Sequence, residues 1–175
     1  MRSLLAHIAT VTAFSAAPAF ADEVTDLADS YGPLLHQCLQ DAGPETEVAR
    51  QCIGAASQAC MEKEDGGYTT LGMSWCMAAE TQLWDAALNR EYQAALKEFG
   101  FLDEEDQAYF PEFANRVESL RAAQRAWLAF YDAECALDYA VWGAGSMRHI
   151  AGNACQMELK AARTLELRSK RTTMQ

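Results

Sequence analysis

The sequence has few of the residues that most enzymes use for catalysis. Three histidines occur in 175 residues, and only His36 and His149 lie beyond the apolar N-terminal segment. There is no C-x-x-C pair, no G-x-S-x-G elbow and no glycine-rich phosphate loop. The sequence therefore predicts no zinc site, no serine-hydrolase centre and no nucleotide site, and we expect neither a metal nor a cofactor.

Basic residues are also scarce. The chain has 14 lysines and arginines against 25 aspartates and glutamates, which gives a net charge of −11. An anionic membrane or a nucleic acid would be repelled by such a surface, so neither is expected as a partner. A basic protein would be attracted at long range, although acidity can also serve solubility alone.

Long apolar runs are absent after the first twenty residues. The N-terminal segment has Arg2 near its start, an apolar stretch up to Phe14, and Ala19-Phe20-Ala21. This pattern predicts a signal peptide at residues 1–21 that is cut after Ala21, because small residues occupy both specificity positions and the apolar core is too short to span a bilayer. We expect a periplasmic or secreted protein without stable membrane insertion. Only Arg2 is lost with the signal, so 13 basic and 25 acidic residues remain, a net charge of −12.

An even number of cysteines follows the predicted cut, which in an exported protein indicates three disulfides. They are Cys38, Cys52, Cys60, Cys76, Cys135 and Cys155. Residues 22–60 form a cysteine-bearing helical lead-in that Gly32-Pro33 should kink or split. The Gly43-Pro44 turn would fold two short helices back on each other, which predicts the pair Cys38–Cys52.

Three longer helices are predicted in residues 61–175, with few signs of strands. Helix A runs from about Leu71 to Phe99, is capped by Thr69 or Thr70 and stops at Gly100. The acidic run 103–106 resembles the first turn of another helix, which Pro111 restarts as helix B, ending near Trp142. Gly143-Ala144-Gly145 separates helix B from helix C, which Ser146 caps and a basic run at 168–171 ends.

Short connections make these helices antiparallel neighbours, so the predicted fold is an all-α, disulfide-tied bundle of three long helices with a short helical lead-in. At about 1.5 Å per residue, Cys76, Cys135 and Cys155 all lie near one end of the bundle, and Cys60 reaches that end from the preceding loop. We expect the pairs Cys76–Cys135 and Cys60–Cys155, although six cysteines allow fifteen connectivities.

Helices A and B each carry a tryptophan at helical spacing from other large side chains, which favours packing of the two helices against each other. Polar groups beside such a seam normally have specific partners, so we expect a hydrogen-bonded lock between helices A and B. The predicted seam residues are Trp84, Asp85, Leu88, Asn89, Tyr92, Gln124, Trp127 and Asp132.

Carboxylates are the one kind of potentially catalytic side chain that the sequence contains in large number. Paired acids can hydrolyse glycosides, and the candidates near one another across helices A and B are Glu80, Asp85, Asp132 and Glu134. A small helical protein with 25 acidic residues contains close pairs on its solvated faces in any case, so the chain is expected not to be an enzyme.

Several spaced elements together resemble the LprI-type lysozyme-inhibitor family across residues 60 to 170. They are Cys76, Trp84-Asp85, Leu88-Asn89 and Tyr92, then Gln124, Trp127, Asp132 and Cys135, then Gly145-Ser146, Cys155 and Arg163-Thr164-Leu165. The sequence departs from the family pattern at Tyr131, where an arginine is frequent, and the pair Cys38 and Cys52 lies outside that pattern. The founding family name refers to a lipoprotein, whereas here the residue directly after the predicted cut is Asp22, not a cysteine that could carry a lipid.

The resemblance implies an exported, helical, non-enzymatic domain that in some members inhibits lysozyme. We therefore expect a binding protein that occludes lysozyme or another basic hydrolase. The alternative is a structural or accessory protein of the cell envelope with a different protein partner. The matching residues are scaffold and leave the partner-binding residues unknown, so the protruding segments 62–68 and 143–146 are the first to mutate.

Overall fold

The computed structural model describes residues 19–172, so most of the predicted signal peptide lies outside the described residues. This part is all-helical and contains no strand. The helices are α1 (Ala19–Ala42), α2 (Thr46–Ala49), α3 (Ala55–Lys63), α4 (Thr70–Gln107), α5 (Arg116–Val141) and α6 (Met147–Thr172), with short 3-10 turns at Arg50–Cys52 and Pro111–Phe113. None of the helices in this part is long and apolar enough to cross a membrane.

Four of these helices exceed twenty residues, rather than the three that the sequence predicts. The additional long helix is α1, which continues through Pro33 without a break. The predicted split at Gly32-Pro33 is therefore wrong, and Gly32 marks a close approach of α1 to α4, because a Cβ there would lie 3.0 Å from Leu83 Cδ2. Tertiary packing against α4 therefore outweighs the local preference of the Gly-Pro pair to end a helix.

Helix α4 corresponds to predicted helix A but continues to Gln107 instead of stopping at Gly100. The extension places Leu102 against the core formed by α4 and α5, and this burial outweighs the low helix propensity of one glycine. The acidic run 103–106 therefore ends a helix, and its prediction as the start of a new one is wrong. The N-terminal prediction is confirmed, because Thr69 Oγ1 accepts a hydrogen bond from the Gly72 amide at 3.0 Å.

The predicted break between helices B and C is confirmed. Helix α5 ends at Val141, Gly143 takes a φ of 52°, and α6 begins directly after Ser146. The basic run at the end of α6 makes contacts within the chain. Arg168 donates to the carbonyl oxygen of Gly43, just beyond α1, at 2.6 Å. Arg171 forms an ion pair with Glu91 of α4 at 3.1 Å.

Helix α6 lies along α4 in parallel, with a nearly constant register. Thr164 Oγ1 donates to the Trp84 carbonyl and Asn153 Nδ2 to the Ser74 carbonyl, both at 3.4 Å, with sequence separations of 80 and 79. Chain neighbours α4 and α5, and α5 and α6, run antiparallel, as the short connections predict. Two antiparallel steps return the chain to its first direction, which makes the α4–α6 pair parallel.

The core consists of two clusters strung along α4, which at 38 residues is about 57 Å long. The larger cluster joins α1, α3, α4 and α6 around the fully buried Trp84. The smaller joins α4, α5 and α6 around Phe99 and Leu120. The lead-in thus packs on the same core as the long helices, and its boundary near residue 60 stays a prediction.

Three disulfides connect the six cysteines, and one of the three predicted pairs is confirmed. Cys38–Cys52 is formed, whereas the other bonds are Cys60–Cys76 and Cys135–Cys155. The predictions of Cys76–Cys135 and Cys60–Cys155 are wrong because Cys76 points from α4 towards α1 and α3, where the larger core cluster buries it. Cys60, Cys76, Cys135 and Cys155 do lie at the same end of the bundle. Each bond, however, joins a cysteine to one on the neighbouring antiparallel helix, α3 to α4 and α5 to α6.

Helix α3 begins without a side-chain cap of its own. Its N-cap residue is Gly54, which takes a φ of 93° and has no side chain to accept a hydrogen bond. The buried carboxylate of Glu80, on α4, accepts hydrogen bonds from the Gly54 and Ser57 amides at 2.7 Å each. It also accepts one from Trp84 Nε1 at 2.8 Å. One acid therefore caps α3 and orients the buried tryptophan. It also interacts favourably with the positive, N-terminal end of the α3 dipole.

Replacing Glu80 with glutamine should destabilise the fold while keeping its shape. The Gln amide nitrogen would face one of three N–H donors, so at least one buried donor loses its acceptor. The expected loss in the free energy of unfolding is about 1–3 kcal/mol, measured by urea denaturation at pH 7. Glu158→Gln, on the exposed face of α6, is the matched control and should change it by less than about 0.5 kcal/mol. Equal stabilities of the two variants would contradict the cap.

Peptide mapping without reduction should recover Cys60 with Cys76 and Cys135 with Cys155. Replacing Cys135 and Cys155 with alanine opens a link of sequence separation 20, which costs roughly 3 kcal/mol in the loop-entropy model. Because α5 buries only Leu120 and Cys135, the increase in amide hydrogen exchange should concentrate in the second half of α5. A uniform increase along all four long helices would argue against this local role.

Candidate interaction surface

The residues of the predicted seam lie around an open groove rather than within one buried interface. Six of them line a groove of about 480 Å³ between α4, α5 and α6, namely Asp85, Leu88, Asn89, Tyr92, Gln124 and Trp127. Trp84 is separate from them, fully buried in the larger core cluster. Asp132 is exposed and lines a neighbouring cavity of about 390 Å³ between α5 and α6.

The polar contacts in this groove run to α6 rather than directly between α4 and α5. Lys160 Nζ pairs with Asp85 Oδ1 at 2.7 Å, and Asn89 donates to the same carboxylate at 3.2 Å. Arg163 donates to Gln124 Oε1 at 3.0 Å. The expected lock between helices A and B is therefore made by two cations of α6, which hold α4 and α5 separately.

The same two cations lie over the aromatic side chains of α5. Trp127 and Tyr131 are stacked with ring centroids 5.3 Å apart. Arg163 lies 5.9 Å from the centre of the Trp127 ring, and Lys160 lies 5.6 Å from that of Tyr131. Burial, with the negative charges of Asp132 and Asp85, raises the pKa of Tyr131 to about 12. Tyr131 is thus a neutral phenol at pH 7 and serves as a packing surface for Lys160.

The four candidate catalytic carboxylates do not converge on one cleft. Glu80 is fully buried, so the expectation of a solvated face is wrong for it, and its oxygens bond to α3 and Trp84. Asp85 is paired with Lys160, Asp132 lines a different cavity, and Glu134 lines neither that cavity nor the groove. Among residues 19–172, no group of three or more His, Cys, Asp and Glu side chains is placed to hold a metal ion.

A different surface combines exposed aromatic side chains with acidic ones. It is the α4–α5 corner, residues 103–116, where the chain turns between the two helices. Tyr109 is 81% exposed, Phe110 55% and Phe113 60%. Three exposed carboxylates lie in the same segment, those of Glu104, Glu105 and Glu112. The sequence signal that would have revealed this corner is an acidic run, 103–106, followed within seven residues by three aromatic residues.

The α4–α5 corner is held in one shape by a second acid of α4. Helix α5 has no side-chain cap from its own N-cap residue. The Asp103 carboxylate instead accepts hydrogen bonds from the Arg116 and Val117 amides, both at 3.0 Å. The Arg116 guanidinium bonds Asp103 at 3.1 Å and Asp106 at 2.6 Å. The corner is therefore preorganised, with its aromatic side chains directed to solvent.

The two segments that the sequence suggested mutating first offer less. In residues 62–68 the one large exposed hydrophobic residue is Tyr68, 60% exposed, whose hydroxyl accepts a hydrogen bond from Gln58 at 3.1 Å. In the other segment, Arg148 donates to the Gly143 carbonyl at 3.3 Å, and the flanking Trp142 is 48% exposed. Neither segment groups several aromatic and acidic side chains as the α4–α5 corner does.

Asp103 should make the stability of the corner depend on pH. Burial raises the pKa of Asp103, but hydrogen bonds from the Val117 and Arg116 amides and from the Arg116 side chain outweigh it, so the pKa lies below its ordinary value. A group whose pKa is lowered by folding stabilises the fold at pH values above its pKa in the unfolded chain, about 3.9 for an aspartate. This contribution is lost as the pH falls through the pKa of the folded state.

Asp103→Asn should therefore lower the free energy of unfolding by about 1 kcal/mol at pH 7. The difference from the unchanged protein should shrink below about pH 4, as measured by urea denaturation at a series of pH values. Glu105→Gln, which changes an exposed carboxylate of the same turn, serves as the control. A difference for Asp103→Asn that stays constant from pH 7 to pH 3 would contradict this assignment.

Comparison with known proteins agrees with the resemblance seen in the sequence. The model of the family described as Lysozyme inhibitor LprI matches residues 60–167, more than half of the chain, from the end of α3 to near the end of α6. A protein of Rhizobium meliloti (strain 1021), whose printed name calls it uncharacterised, is 30% identical over 98 residues, which are 56% of this chain and 70% of that protein. No solved structure matches. The chain belongs to the LprI lysozyme inhibitor family.

Proposed function

We propose that this chain is an exported, non-enzymatic inhibitor that binds a lysozyme and occludes its substrate cleft. The observation that carries the proposal is the family match over residues 60–167, a range that includes α4, α5 and most of α6. The inhibited enzyme would be a basic hydrolase, since its binding surface must meet an acidic protein.

Charge supports a basic partner. All 25 acidic residues and 13 of the 14 basic residues lie between residues 22 and 172, so the described part carries a net charge of −12. Several of the basic residues are already paired within the chain, because Arg116, Lys160 and Arg171 each form ion pairs with carboxylates of α4. The remaining carboxylates give the surface a negative field that steers cations towards it.

The disulfides support an exported location, periplasmic or secreted. All six cysteines are paired and none is free in the described chain. Such bonds form and persist in oxidising compartments and are rare in the cytosol. The N-terminal pattern at residues 1–21 is the matching export signal in the sequence.

The assignments of the carboxylates support a binding role. Glu80 and Asp103 cap helices, and Asp85 balances Lys160. An acid that accepts two or three hydrogen bonds from its own fold is held in place as an acceptor rather than presented to a substrate. The sequence-level alternative, an accessory envelope protein with another partner, shares the export and the charge, and the experiment below distinguishes the two.

The oxidised protein comprising residues 22–175 should inhibit at least one class of lysozyme. Inhibition is measured from the loss of turbidity of a bacterial cell-wall suspension, and binding by surface plasmon resonance. Because the attraction is electrostatic, the association rate should fall by roughly tenfold between 50 mM and 500 mM salt, while the dissociation rate changes less.

Two controls accompany this experiment. A small acidic protein of similar net charge and unrelated fold tests whether charge alone inhibits, and it should not do so at the same micromolar concentration. Reduced and alkylated protein tests whether the folded shape is needed. Absence of inhibition and of binding for every lysozyme class at low salt would refute the proposal, and retention of one other protein from an envelope extract would then support the accessory role.

A further inference from the structure

We infer that the α4–α5 corner is the surface that contacts the basic partner, with Tyr109, Phe110 and Phe113 as its anchors. This inference rests on the proposed function and adds to it the location of the binding surface. The family match identifies no binding residues, and most of the motif residues that carry the resemblance lie in the core and around the groove instead.

The first support is the exposure of the three aromatic side chains. Trp84 on α4 is fully buried, whereas Tyr109, Phe110 and Phe113 each expose more than half of their surface within five residues of one another. Phe110 and Phe113 are already neighbours, with ring centroids 6.5 Å apart. Grouped exposed apolar side chains with a polar rim are typical of protein-binding surfaces, where aromatics supply most of the binding energy.

The second support is the rigidity of the backbone that carries the rings. Amides of the turn are satisfied within it, since Phe110 donates to the Asp106 carbonyl at 2.7 Å and Phe113 to the Phe110 carbonyl at 2.9 Å. Asn115 Nδ2 donates to the Glu112 carbonyl at 3.2 Å, and the Arg116 guanidinium links the two ends of the turn through its ion pair with Asp106. A surface that is already ordered loses little conformational entropy when a partner binds.

The third support is the sign of the charge, which identifies the kind of partner. Residues 103–116 contain five acidic residues and one basic residue, and Arg116 is engaged with Asp103 and Asp106. Glu104, Glu105 and Glu112 remain exposed in the same segment as the rings. An anionic lipid headgroup or a nucleic acid would be repelled there, whereas a basic protein with an apolar hollow would meet complementary charge and shape.

Another exposed apolar surface lacks this combination. Phe130, Leu137 and Val141 form a stripe on the outer face of α5, and they are 50%, 56% and 72% exposed. They lie within α5 itself, with Val141 as its last residue. This stripe provides a matched control, because substitutions there remove similar exposed apolar area from the same helix pair.

The test compares four variants in the lysozyme assay and in binding kinetics. Tyr109→Ser with Phe110→Ser should weaken inhibition by at least about tenfold, mainly through faster dissociation. Glu104→Gln, Glu105→Gln and Glu112→Gln combined should slow association by roughly tenfold and flatten its salt dependence. The controls are Leu137→Ser with Val141→Ser, and Asp22→Asn, Glu23→Gln and Asp26→Asn combined on exposed positions of α1, each expected to change inhibition less than about twofold.

Thermal melting and circular dichroism must show that all four variants remain folded, which exposed positions favour. A direct readout accompanies the variants, since amide hydrogen exchange in the complex should be slowed in residues 104–115. Corner variants that inhibit like the unchanged protein, or controls that lose as much as the corner variants, would overturn the inference while leaving the proposed function intact. An unchanged protein that binds no lysozyme would overturn both.

Discussion

The structure depends on one recurring interaction, in which a carboxylate of α4 caps the first turn of a neighbouring helix. The N-cap residue of α3 is Gly54, which has no side chain, and the Glu80 carboxylate accepts hydrogen bonds from the amides of Gly54 and Ser57. Helix α5 begins after Asn115 without a side-chain cap, and the Asp103 carboxylate accepts hydrogen bonds from the amides of Arg116 and Val117. In the usual capping box the acceptors come from the helix itself, whereas here they come from another helix, so each cap is also a tertiary contact.

These two caps give the two ends of α4 different roles. Around Glu80 the carboxylate is buried, Trp84 packs beside it, and the Cys60–Cys76 bond fixes α3 to α4. Around Asp103 the same kind of contact lies near the surface and fixes a turn whose aromatic side chains face solvent. One end therefore stabilises the fold, and the other displays side chains in a defined arrangement without having to bury them.

The sequence predicts the helices that short-range patterns determine and fails where distant contacts decide. The Thr69 cap and the break at Gly143 follow from local chemistry, and both are predicted. Pro33 and Gly100 should end helices by local preference, yet packing against Leu83 and in the Leu102 cluster keeps both helices intact. The pairing of Cys60 with Cys76 depends on which face of α4 turns towards α3, which spacing along the chain does not determine. Glu80 looks like any surface acid because nothing local marks it as buried.

The division of α4 also explains why family membership predicts architecture better than binding. The motif residues occupy places where a change would disturb packing: Trp84 in the core, Asp85 against Lys160, and Cys135 in a bond to α6. Side chains that meet a partner have to be exposed in the free protein, and exposed positions such as Tyr109 contribute little to folding. A pattern built from packing residues therefore identifies the scaffold and leaves the choice of partner to residues outside it. On such a scaffold, the exposed side chains of the α4–α5 corner can differ without loss of the fold as long as Asp103 and Arg116 keep the turn in place.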